Sequence, residues 1–182
     1  MTLTALQPAP DFTIADIYGK TISLSGFKGK KLHIGFFRNV SCPFCNLRVH
    51  QLSKLNPVFE SHGLKSVYFF ESKPDVIRRS SFHEGISPIP LVGDPEKKIY
   101  AQYGVEASVV KMLSTLFAKN TFQDFKEGKA LNLPADKDAT QSLMPADFFI
   151  DENQKIYRAH YGANLNDHIA VEDIKTFAGI RA

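Results

Sequence analysis

The sequence has no tryptophan, only two cysteines and three methionines in 182 residues, and a formal net charge of just +3. Each shortage excludes something. Two cysteines cannot build the disulfide framework of a small secreted scaffold, and at this length roughly 70% of the unfolded chain's surface can be buried without one. The charge comes from 22 Lys and Arg scattered among 19 Asp and Glu, which leaves no footprint for nucleic acid. The densest basic cluster, Lys28-Gly29-Lys30-Lys31, reads as a turn before a strand. No window approaches the about 18 consecutive apolar residues of a membrane span. The start, MTLTALQPAPDF, lacks the basic and apolar regions of an export signal. A cytoplasmic protein with no membrane or nucleic-acid partner is therefore expected. Without repeats, low-complexity tracts or linkers, residues 1–182 are expected to form one domain.

What is abundant is aromatic: 15 Phe and six Tyr, enough for an aromatic core. Short β-type runs at Phe12–Ile14 and Thr21–Leu24 flank a turn and predict an N-terminal hairpin. Lys31–Phe37 (KLHIGFF) predicts a buried central strand, and Leu47, Val49, Leu52, Leu55, Val58 and Phe59 recur at helical spacing up to His62-Gly63. Further strands are predicted at Leu64–Phe70, Ile89–Val92, Ala146–Ile150 and Lys155–Tyr161, the last two as an antiparallel pair. Short helices are predicted from Pro74 through Phe82 and over Lys97–Tyr103, and a C-terminal helix over Asn166–Ile180. This alternation implies an α/β layer fold with some parallel strands. Residues 106–140 break the rhythm and predict a helical insertion, followed by a polar loop over Gly128–Thr140. With five Lys against five Asp and Glu it advertises no anionic ligand. Its apolar stripe is expected to be core or dimer surface rather than a substrate lid.

The stretch Arg38-Asn39-Val40-Ser41-Cys42-Pro43-Phe44-Cys45 places two thiols between the end of a buried strand and the first turn of a helix. Free amides and the positive end of the helix dipole stabilise a thiolate there. Pro43 suits the first turn, where its missing N–H is no loss. Arg38 and Arg48 could each add positive potential. No second Cys pair or His pair completes a tetrahedral zinc site, so no metal is expected and the cysteines read as redox-active. Pro145, directly before an apolar strand, can bring backbone against a neighbouring site.

Cys42-Pro43-Phe44-Cys45 after a strand, with Pro145 ahead of FFIDENQKIY, resembles the thioredoxin superfamily. PAPDF…DIYGKTISLSGFKGKKLHIGFF and PLVGDPEKKIYAQYGV resemble its alkyl hydroperoxide reductase and thiol-specific antioxidant branch, the peroxiredoxin-like proteins. The resemblance implies a thioredoxin-like fold, with a central mixed sheet of about five strands flanked by helices. It implies an antioxidant thiol oxidoreductase that reduces hydroperoxides or protein disulfides. Cys42 would attack, Cys45 resolve, and Pro145 stand as a cis-proline opposite the disulfide. It implies a thioredoxin- or glutathione-type reductant and no cofactor, and the apolar stripe of 106–140 leaves room for a homodimer. The chain departs from the family's Pro-x-x-x-Thr-x-x-Cys pattern: Gly35 stands at the proline position and Asn39 at the threonine position. The position of the family's later arginine falls near Pro145, where this chain has no arginine, so that Arg38 could supply its charge and Asn39 could offer a hydrogen bond. Two other classes compete. A copper- or metal-handling protein would join the thiolates to His160 or His168. A non-catalytic interaction module would bind through the helical insertion.

Overall fold

The computed structural model describes residues 2–79, 86, 88–118, 120–131 and 135–181. A five-stranded sheet runs in the order β5-β4-β3-β6-β7. Its strands are β3 (Lys31–Phe37), β4 (Leu64–Phe70), β5 (Leu91–Gly93), β6 (Ala146–Ile150) and β7 (Ile156–Tyr161). β3 pairs in parallel with β4 and β4 with β5, while β6 and β7 run antiparallel to their neighbours. A separate antiparallel hairpin joins β1 (Thr13–Ala15) to β2 (Thr21–Ser23). Both predicted hairpins and the mixed five-stranded sheet are therefore present.

The central strands are apolar throughout because helices or loops cover both faces. Leu32, Ile34 and Phe36 point into one apolar layer with Phe69, Tyr100 and Phe148. Phe37 points into the other, with Tyr68, Phe70 and Phe149. That second layer carries α1 (Pro43–Ser61), which His62 and Gly63 terminate, Gly63 at a φ of +78°. The remaining helices are α2 (Pro74–Arg78), α3 (Lys98–Gln102), α4 (Val109–Ser114), α5 (Thr121–Lys129) and α6 (Val171–Ala178).

Several boundaries differ from the expectation. β5 begins at Leu91, since Pro90 has no N–H for the ladder and offers only its carbonyl, to Tyr68 at 3.0 Å. α6 starts at Val171 rather than Asn166. Polar side chains claim the backbone of 163–169 first: Asp167 accepts from the Ala163 N–H at 2.8 Å, and Asn164 from the Asn166 N–H at 2.9 Å. α5 runs on to Lys129, so Gly128 is helical rather than the start of a loop. Phe82, the expected end of α2, lies outside the described residues. The insertion's apolar stripe is not core. Val110, Leu116, Phe117 and Phe122 are exposed, Phe117 to 90%. The insertion is closed at its neck by an isolated bridge between Ala107 and Leu143. There the Ser108 N–H donates to Ser142 at 2.7 Å and the Met144 N–H to Glu106 at 2.9 Å.

The antiparallel register of β3 on β6 pairs Phe36 with Ala146. This brings Pro145 to the same end of the sheet as the residues that follow Phe37, although more than 100 positions separate them in the chain.

Candidate active site

Residues 38–42 leave β3 as a turn held by backbone and side-chain hydrogen bonds. The Glu71 N–H donates to the Arg38 carbonyl at 2.9 Å and the Val40 N–H to Ser72 Oγ at 3.1 Å. Asn39 Oδ1 accepts from the Ser41 N–H at 3.1 Å and its hydroxyl at 2.6 Å. The Asn39 carbonyl accepts from the Cys42 N–H at 3.1 Å. Asn46 Nδ2 reaches back to the carbonyls of Val40 and Cys42 at 2.8 and 2.7 Å. Asn39 thus shapes the turn, its amide oxygen committed to Ser41.

Cys42 is the N-cap of α1, with Pro43 in the first helical turn. Its sulfur accepts from the Cys45 N–H at 3.3 Å, a free amide satisfied by a thiolate. The two sulfurs are not bonded to each other and are buried, 1% and 2% exposed. Burial alone would raise the Cys42 pKa. The Cys45 thiol donating to it, the Arg38 guanidinium beside it and the Cys45 amide outweigh that and bring it down to about 6. Cys45 moves oppositely: burial and the adjacent Cys42 sulfur push its thiol well above the ordinary value. The pair is therefore split into one thiolate and one thiol that keeps its proton.

Arg38 is itself buried and anchored, its Nη1 donating to the Gln141 carbonyl. Arg48 plays a different part and donates to the Ile169 carbonyl. Pro145 is buried at the start of β6, its carbonyl accepting from the Gly162 N–H at 2.9 Å. Its neighbour Met144 packs in the same apolar cluster as both cysteines.

Three features escaped sequence reasoning. The first is α5, which lies directly on the Cys42–Cys45 turn. A Cβ at Gly128 would fall 2.2 Å from the Pro43 carbonyl oxygen. A glycine inside an amphipathic helix costs about 1 kcal/mol, which hints at a packing reason. The second is the support behind the turn from Ser72, Glu71 and Tyr100, whose hydroxyl donates to the Phe37 carbonyl at 2.6 Å. Nothing in the sequence marks these. The third is Asp147, buried in β6 between two histidines, His33 Nε2 at 2.8 Å and His168 Nδ1 at 3.2 Å. Burial would raise its pKa, but these bonds hold the carboxyl well below the usual range. A lone Asp within ADFFI was the clue to it. This pairing also occupies His168, while His160 faces Asp167 at 3.2 Å. Among the described residues no group of three or more His, Cys, Asp or Glu side chains could hold a metal ion.

Residues 5–159 match the model of the AhpC/TSA family. The chain belongs to that family. A relative named as a peroxiredoxin in Mycobacterium tuberculosis is 23% identical over 168 residues, 92% of this chain and 91% of its own. The thiol-disulfide oxidoreductase ResA of Bacillus anthracis is 26% identical over 99 residues, 54% of this chain and 57% of its own. Among solved structures, a peroxiredoxin-like protein from Aquifex aeolicus superposes with a TM-score of 0.70 at 14% identity. That superposition covers 100% of this chain and 90% of the other. The fold is that of the thioredoxin-like peroxiredoxins. Within this family the chain is a thiol-dependent oxidoreductase whose Cys-Pro-Phe-Cys pair stands at a helix N-terminus.

Proposed function

We propose that this protein is a thiol peroxidase that reduces small hydroperoxides through Cys42. The observation that carries the reading is the split pair: a buried thiolate with a pKa near 6 beside Arg38, three residues from a thiol that keeps its proton. Cys42 S⁻ attacks the terminal oxygen of the hydroperoxide. The O–O bond breaks, Cys42 becomes a sulfenic acid, and the alkoxide leaves and takes a proton from solvent. Arg38 stabilises first the thiolate and then the departing oxyanion. Cys45 then attacks the Cys42 sulfur, and its proton goes to the departing hydroxyl as water. A Cys42–Cys45 disulfide remains, which an external thiol of the thioredoxin type returns to the dithiol. Asn39 and Pro145 act as positioning residues, one for the turn and the other at the facing strand. Burial of both sulfurs beneath α5 supports a small substrate over a protein disulfide.

The second reading, disulfide exchange, is favoured by the Cys-x-x-Cys spacing and by the placement of Pro145 at the same sheet end. Free thiols are counted in the reduced protein before and after one equivalent of hydrogen peroxide, with Cys42→Ser and Cys45→Ser alongside. Loss of two thiols in the wild type, none in Cys42→Ser, and a trapped sulfenic acid in Cys45→Ser is expected. Indifference to peroxide with ready exchange against a small disulfide would make the protein a disulfide reductase instead.

A further inference from the structure

Two cavities lie side by side against the Cys-Pro-Phe-Cys turn. The larger, about 400 Å³, is apolar and is formed between Phe44 and the insertion, with Met112, Leu116, Phe122 and Phe125 in its wall. The smaller, about 180 Å³, is polar and is lined by Arg48, Gln51, Asp124, Asn166 and His168. Their boundary can be followed along the chain. Phe44 walls both, Asp124 and Asn166 belong to the polar cavity, and the adjacent Phe125 and Leu165 belong to the apolar one.

Two groups of the polar cavity are left incomplete. Arg48 pairs with no carboxylate among the described residues, and its Nε is buried without a partner. The His168 ring is buried and held through Nδ1 by Asp147, which leaves Nε2 buried and unpartnered. Asp124, the one carboxylate in the lining, accepts from Asn166 Nδ2 at 2.6 Å and makes no ion pair with Arg48. A half-buried guanidinium with an unpartnered Nε favours a ligand that brings a negative charge and acceptor oxygens. The apolar cavity beside it has the volume of a small-molecule site.

We propose that the paired cavities bind an amphipathic carboxylate. Arg48 and His168 take the head group of a fatty acid, and its chain crosses Phe44 into the apolar cavity. Binding would take up one proton from solvent, held between a carboxylate oxygen of the head group and His168 Nε2. A second copy of the chain, or a bilayer, would meet only the apolar surface and would leave the polar cavity unused. The inference concerns binding and stands apart from which electrophile Cys42 attacks.

The test is calorimetric titration of the reduced full chain with decanoate, and with decanol and butyrate as controls. One decanoate per chain is expected, with decanol and butyrate each at least about tenfold weaker. Arg48→Gln should lose about tenfold toward decanoate. Gln51→Glu, a change at an exposed position that puts a carboxylate in the polar cavity, should weaken decanoate several-fold and leave decanol unchanged. It keeps the test open if Arg48→Gln fails to fold. The proposal is overturned if decanoate shows no saturable binding, if decanol binds as tightly, or if Gln51→Glu has no effect. Decanoate-independent dimers in sedimentation that block the site would give the apolar face to a second copy and also overturn it.

Discussion

Replacing Gly128 by alanine sets two effects of opposite sign against each other. In an open helix interior the change stabilises by about 1 kcal/mol, because alanine loses less backbone freedom than glycine. Gly128, however, faces the backbone of Pro43, where a Cβ would lie 2.2 Å from the carbonyl oxygen and 2.6 Å from the carbonyl carbon. Those atoms begin α1 and cannot rotate aside. Restoring ordinary contact requires α5 to retreat by roughly 1 Å. Overpacking of this kind costs about 1–3 kcal/mol, so the net change runs from near zero to about 2 kcal/mol destabilising. The loss falls on α5, which packs against α1, rather than on the sheet. The sensitive readout is therefore the rate at which iodoacetamide labels the thiols of the reduced protein. If labelling requires α5 to lift, a loss of about 2 kcal/mol raises the open fraction, and the rate, up to about thirtyfold. Gly128→Val should go further in the same direction, and Glu127→Ala, at an exposed neighbouring position, should leave the rate unchanged. A Gly128→Ala protein that is more stable than wild type and labels at the same rate would refute the reasoning.

Two further substitutions test the electrostatics. Arg38→Leu should move the pH midpoint of Cys42 alkylation from about 6 toward or above the ordinary 9.0, and slow labelling at neutral pH more than tenfold, whereas Arg38→Lys should keep much of the shift. At the buried cluster, the Asp147 carboxyl is held below its ordinary 3.8, and burial holds the His168 imidazole below 6.5. In both cases the unfolded chain binds the additional proton, so stability is complete above 6.5 and falls with pH, first through His168 and then, below 3.8, through Asp147. Asp147→Asn should remove the lower step, and Asp147→Ala should cost about 3 kcal/mol by stranding two buried histidines. Urea midpoints at neutral pH, between the two values and below the lower one check both.

The sheet was legible because its strands are unambiguous apolar runs. β3, β4 and β6 are bounded as expected to the residue, since each is framed by Gly, Pro or charged residues that cannot continue it. The Cys42 site was legible for the same local reason, a strand followed at once by a helix with proline in its first turn. The rest depends on contacts distant in sequence. The Arg38 anchor at Gln141 lies 103 positions away, and the Ser72 support of Val40 lies 32 away. Helical spacing around Val109–Phe125 marked an amphipathic segment correctly. Periodicity, however, cannot tell a buried face from an exposed one, and here much of the face is open. The expected C-terminal helix exceeds the observed one because Ile169 fits a helical stripe, while its N–H is taken by Asp147.

The neck at Ala107 and Leu143 has a consequence for how this chain can be varied. Because β3 and β6 pair directly, everything between Glu106 and Met144 is an excursion from the frame through one clamped doorway, its ends fixed by the two hydrogen bonds of the Ala107–Leu143 bridge. The segment is thus an excursion clamped at its base. Its exposed outer part can be lengthened or shortened at a loop-closure cost that grows only logarithmically, while Gln141 at Arg38 and Gly128 at Pro43 have to stay for the site to keep its shape. The surroundings met by an incoming molecule are thereby built largely by this excursion, and it meets the thiolate machinery at two points, Gln141 on Arg38 and Gly128 on Pro43.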